Sequence, residues 1–129
     1  MYTFTCRGHI GIKGLHATQL AFTKGAHLTA GDHILGIKAT FEPEKVQQLL
    51  KGKSSVTVHV AIDSIKDTLT ASINPGYRHK DEMVFRTGEF TADRILGTKA
   101  SKGAKQISQE LITAASNPES VIVVGLDFQ

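Results

Sequence analysis

HATQLAFTKGAHLTAGDHILGIKA, running from His16 to Ala39, decides the reading of this chain. Its first part alternates, with His16, Thr18, Leu20 and Phe22 on one face and Ala17, Gln19 and Ala21 on the other. That period of two is the mark of a half-buried strand. A second strand follows over 33–39, with His33, Leu35, Ile37 and Ala39 on its core face. The connection TKGAHLTAGD is rich in turn residues. If the two strands pair as an antiparallel hairpin, Phe22 meets His33 and His16 meets Ala39. At about 3.3 Å per residue, His16 and His33 then lie about 20 Å apart. This hairpin is the expected organising feature.

The flanks extend the same pattern. Upstream, Tyr2, Phe4 and Cys6 alternate with Thr3, Thr5 and Arg7, and GHIGIKG then forms a glycine-rich loop. Downstream, Pro43 and the acids around it start a short helix over 44–50. Ser55 to Asp63 is the clearest strand, with Val56, Val58, Val60 and Ile62 turned inward. It pairs with a strand over 68–73. Asn74-Pro75-Gly76 turns the chain into a strand over 82–87, and 88–97 reads as irregular, with a helical turn near Asp93. Ala100, Ala104, Ile107, Leu111 and Ala114 make one apolar stripe, which predicts a longer helix over 99–115. Asn117-Pro118 stops it, and the final strand, 120–128, is apolar on both faces at first, as a central strand under the long helix would be. No internal repeat, low-complexity tract or linker is apparent. The expectation is one domain over 1–129, mainly β (a β-rich α+β fold). It is an antiparallel β-sandwich or open barrel with one short and one longer helix.

Composition narrows the function classes. A chain of 129 residues with 40% hydrophobic content can build its own core. One cysteine, Cys6, rules out an intramolecular disulfide and a cysteine-based zinc site, and no apolar run reaches membrane-span length. A cytoplasmic, reducing setting without membrane association is the expectation. The formal charge is +3, and the surplus is local. Between Gly76 and Lys105, seven basic residues face four acidic ones, while the remainder balances at eight of each.

A resemblance emerges from short motifs in order: Gly8-His9, Leu15-His16-Ala17-Thr18, Phe22-Thr23-Lys24, Leu28-Thr29, Gly31-Asp32, Ile34-Leu35-Gly36, Asn74-Pro75 and the late Lys-Ala-rich segment. Over about Tyr2 to Leu126 the chain resembles the archaeal domain-of-unknown-function family three-seven-one. The resemblance implies a jelly-roll-like, β-rich fold and no assigned activity. One departure is His33, where the family pattern leads us to expect a cysteine.

Three groups of residues are candidates for a site. His16, with His9 and Thr18, places polar groups on a core face, where they need partners; the same residues suit acid–base work, since histidine titrates near neutrality. Around Lys24, His27, Asp32 and His33, turn chemistry is the simpler account, and the hairpin separates these residues from His16, so no metal site is expected. The third group is basic: Lys99 and Lys102 at the start of the late helix, with Arg78, Arg86 and Lys24, would receive an anion at free helix amides. A solvated basic face is the plainer alternative.

No nucleophile elbow, recognition-helix motif or aromatic stacking platform is present. The expected function is therefore binding of an anionic, phosphate-bearing small molecule or RNA. The alternative is a small enzyme centred on His16 at one end of the barrel. Whether the protein is an enzyme, which cofactor it uses and its oligomeric state are not fixed by the sequence.

Overall fold

The computed structural model describes residues 1–28 and 31–129. The Thr29-Ala30 part of the expected LTAGDHI turn lies outside the described residues. Eight strands and two short helices follow in order: β1 (Tyr2–Arg7), β2 (Gln19–Thr23), β3 (Ile34–Gly36), α1 (Pro43–Leu49), β4 (Ser55–Ile62), β5 (Ile65–Ile73), β6 (Glu82–Arg86), β7 (Ile95–Thr98), α2 (Gln109–Ala115) and β8 (Val121–Phe128). This is the β-rich α+β class that the alternation predicts. The strands form one sheet in the order β1-β8-β4-β5-β7-β6-β2-β3. Beyond β3 the chain returns to β1: Arg7 and Ile37 exchange backbone hydrogen bonds of 2.7 and 2.9 Å, and the Thr40 N–H donates to the Thr5 carbonyl at 2.9 Å. The sheet therefore closes into a barrel, which is more specific than a sandwich or an open barrel.

The expected hairpin at the opening stretch is corrected. β2 and β3 are parallel, pairing Ala21 with Ile34 and Phe22 with Gly36, and β6 and β7 are parallel in the same manner. The connection after Thr23 thus carries the chain back to the end where β2 began, so His16 and His33 precede neighbouring strands at one end. The strand β7 lies in the stretch expected to be irregular. The long helix is also corrected. Lys99 has a left-handed backbone (φ 51°), a 3-10 turn spans Ala104–Gln106, and α2 begins only at Gln109. Ser108 caps it, accepting from the Leu111 N–H at 3.2 Å.

A repeat is also present, contrary to the sequence reading. Ile34-Leu35-Gly36-Ile37-Lys38-Ala39 and Ile95-Leu96-Gly97-Thr98-Lys99-Ala100 differ at one position in six. Lys38 and Lys99 share left-handed φ values of 52° and 51°. The backbone bonds match as well: Ala21 to His33 as Val84 to Arg94, Ala39 to Thr23 as Ala100 to Arg86, Lys38 to Gly25 as Lys99 to Gly88, and Thr40 to Thr5 as Ser101 to Thr70. Each half runs β-β-β-α-β, and a pseudo-two-fold axis relates the halves. That axis passes through two seams of the barrel. At β4–β8, Val58 faces Leu126 and Val60 faces Val124. At β2–β6, Leu20 faces Phe85 and Phe22 faces Met83. The largest break in the period of the halves comes before the helices: α1 starts four positions after Ala39, whereas α2 starts nine positions after Ala100.

Burial follows the alternation. Phe4, Leu20, Phe22, Leu35, Val58, Leu69, Phe85, Leu96 and Val124 belong to the main core, where Val46 and Leu50 near α1 and Leu111 and Ala115 of α2 join them. A smaller apolar cluster of Ala21, Ile34, Ile37, Val84 and Ile95 packs against Leu28 and Ala92. β8 is central as expected, between β1 and β4, but its outer Val121 and Val123 are exposed and have no helix over them.

Candidate functional site

The parallel pairing brings together what an antiparallel hairpin would separate. The rings of His16 and His33 lie edge to face with centroids 5.8 Å apart. His16 Nδ1 accepts from the backbone N–H groups of Thr18 and Gln19, each at 3.1 Å, and approaches the Thr18 hydroxyl at 3.5 Å. His9 Nδ1 accepts from the Gly11 N–H at 2.9 Å. Each ring therefore replaces a carbonyl where the chain turns, the role expected of a polar residue at a barrel rim. His79 does the same for Asp81 and Glu82 at 3.1 and 2.9 Å, ahead of β6 as His16 stands ahead of β2. Asn74 takes the place of His9, accepting from Gly76 at 3.1 Å. The histidines of the motifs thus have symmetric structural counterparts.

His33 is held neutral. Burial lowers its basicity first, the neighbouring His16 lowers it further, Arg94 adds to this, and Glu82 and Asp32 oppose it without prevailing. No set of three or more His, Cys, Asp or Glu placed to hold a metal ion occurs among the described residues. Cys6 points into the core, and burial pushes its thiol far above the ordinary range, so it is not a nucleophile.

The basic candidates divide among several places. Lys99 lies on the surface beside Glu89, at 3.2 Å. Lys102 pairs with Asp67 at 2.5 Å and is a structural tie. Neither stands at a helix start, because α2 begins downstream of both. Arg86 lies over the Phe90 ring at 5.2 Å. Lys24 donates to the carbonyls of Ala39 and Phe41 at 3.2 and 2.5 Å, and its ammonium sits 5.0 Å from the Phe41 ring centroid.

Lys24 and Arg78 do meet. They line an open groove of about 590 Å³ between the start of α1 and the turn before β6. The turn before β6 contributes Arg78, His79 and Lys80 to its lining, and the start of α1 contributes Phe41, Glu42, Pro43 and Glu44. Arg78 and Lys80 are exposed. The sequence reading missed His79, Lys80, Glu42 and Glu44 as site residues. The run Arg78-His79-Lys80, one residue after an Asn-Pro-Gly turn, was the available signal.

The family model described as "Domain of unknown function (DUF371)" matches residues 4–129. The chain belongs to that family. An uncharacterized protein of Methanocaldococcus jannaschii is 28% identical over 131 residues, covering 94% of this chain and 95% of the relative. This DUF371 protein therefore shares nearly its full length with an archaeal relative. No helix among the described residues is long and apolar enough to cross a membrane.

Proposed function

We propose that this DUF371 protein binds an anionic ligand in the groove between α1 and the turn before β6. The observation that carries the reading is the gathering of Lys24, Arg78, His79 and Lys80 along one groove. Because Nδ1 of His79 accepts from two backbone amides, Nε2 is left to donate in the neutral ring. Arg78 supplies a planar fork suited to paired oxygens, and Lys80 a mobile ammonium. Glu42 and Glu44 in the same lining repel a long polyanion, so the groove favours a compact ligand over RNA. We place the protein in the cytoplasm as one unit over 1–129, consistent with its single, buried thiol.

The test is calorimetric titration with pyrophosphate at low salt. Heat of binding is expected, weakening as salt rises and disappearing in the R78E/K80E variant. No binding at low salt, or binding unchanged in that variant, would overturn the reading.

A histidine-centred enzyme is the second reading, and the His16–His33 contact is the observation in its favour. The pair sets two imidazole rings side by side, with His33 in the neutral form that general-base work requires. NMR of the two rings at neutral pH checks it: H16Q is expected to move the His33 ring resonances and H33Q those of His16, and no change in either would remove its support.

A further inference from the structure

The duplication gives the groove an internal reference, because the same crevice exists at the opposite end of the barrel. His79 corresponds to His16, and Arg78 and Lys80 correspond to Leu15 and Ala17. The equivalence rests on the matched histidine turns and on the bonds from Lys24 to Asp81 and from Thr87 to Thr18. In the second half, the longer connection before α2 fills that crevice. The Lys105 N–H donates to the His16 carbonyl at 3.0 Å. Gly103 lies so close that an added Cβ would stand 2.3 Å from the Ala17 carbonyl oxygen, so backbone is seated on backbone there. In the first half the connection is short, and no such segment enters. No donor reaches the His79 carbonyl among the described residues.

We infer that the open groove is a receptor for a short acidic peptide segment of a partner protein, which takes the place that residues 103–105 take at the other end. The inference rests on the anion-binding reading and specifies its ligand. Two features choose a peptide. The His79 carbonyl is open to accept an N–H, as the His16 carbonyl accepts that of Lys105, and a peptide backbone supplies one where a phosphate or carboxylate alone does not. The residues around it also changed sign of preference. At the filled end the backbone of Ala17 meets Gly103 and Leu15 is exposed beside it, whereas Arg78 and Lys80 in the corresponding positions select carboxylates. Glu42 and Glu44, which line the same groove, then favour an N–H-rich or basic flank on the same segment.

A fluorescent peptide with the residues of 101–107 carrying K102E and K105E retains the backbone that fits the filled crevice and presents carboxylates to Arg78 and Lys80. Anisotropy on the full chain should show salt-sensitive binding, weakened about tenfold or more by R78E/K80E. The same peptide with its two lysines kept should bind more weakly. Pyrophosphate binding without peptide binding would overturn this inference and leave the anion reading standing. Absence of both at low salt would overturn both. Peptide binding that R78E/K80E leaves unchanged, or that the lysine peptide matches, would also overturn the inference.

Discussion

Gly36 and Gly97 show how single residues set the barrel. A Cβ at Gly36 would stand 2.5 Å from Cys6 Cβ, and one at Gly97 would stand 2.7 Å from Ala71 Cβ and 2.8 Å from Phe85 Cδ1. Both neighbours are fixed at the backbone, so no flexible side-chain end can yield. G36A and G97A should each cost about 1–3 kcal/mol, the ordinary penalty of overpacking. Urea unfolding would show this as a lower midpoint at unchanged slope. His33 sets a different response. Its folded basicity lies below that of an ordinary histidine, mainly through burial and then His16, so the unfolded chain binds the proton more readily. Stability is therefore full above about pH 6.5 and falls as the pH drops through and below that value. H33Q should flatten this slope in thermal melts between neutral and mildly acidic pH. An unchanged slope would assign it to other groups.

At the scale of elements, the connection before α2 is held by one carboxylate. Asp67, at the start of β5, accepts from Lys102 Nζ and from the N–H groups of Ser108 and Thr68, at 2.5, 2.8 and 2.8 Å. Burial pushes its carboxyl up, but these three donors prevail and hold it below the usual range. D67A should lower stability by about 1–3 kcal/mol at neutral pH, the scale of hydrogen bonds to charged groups. It should also speed amide exchange in residues 102–108 more than elsewhere. Because the folded carboxyl is the stronger acid, that difference from the parent should persist above the carboxylate range and shrink as pH falls through it.

This connection also shows where reading the sequence reached its limit. Ala100, Ala104, Ile107 and Leu111 do have helical spacing and are all buried, yet a left-handed Lys99, Gly103 and a capping Ser108 break the run. A stripe is satisfied equally by a turn folded onto the core. The strands β1, β4 and β5 were legible because their alternation is set locally by which face meets the core, and β6 and β8 because short apolar runs end at turn residues. The direction of β3 was not, since a parallel crossover leaves the same alternation as a hairpin. The error mattered for the site. Parallel pairing unites His16 with His33, and the end of the long helix removes the presumed anion cradle at Lys99. The groove was hidden for a further reason: Lys24, Glu42 and Arg78 come from three distant segments.

For the whole molecule, the pseudo-two-fold axis makes the termini equivalent to a turn. β4 and β5 are joined by the tight turn at Asp63–Ser64, and β8 and β1 are antiparallel neighbours at the corresponding place, with Tyr2 opposite Leu126. The chain ends thus occupy the position of a hairpin loop. A circular permutant with those ends joined by a short linker and new ends at Asp63 and Ser64 should fold to the same barrel, since such sites tolerate rearrangement. Circular dichroism and a cooperative melt within a few degrees of the parent would be expected; a collapsed, non-cooperative form would contradict it. Closure of the sheet by Thr5, Arg7, Ile37 and Thr40 has one more result. An open sheet ends in rows of unmet amides that recruit strands from other molecules, and here those rows satisfy each other. Where the described residues of this seam are paired, strand-by-strand fibre growth therefore finds no free ladder, and aggregation through it requires the barrel to open there.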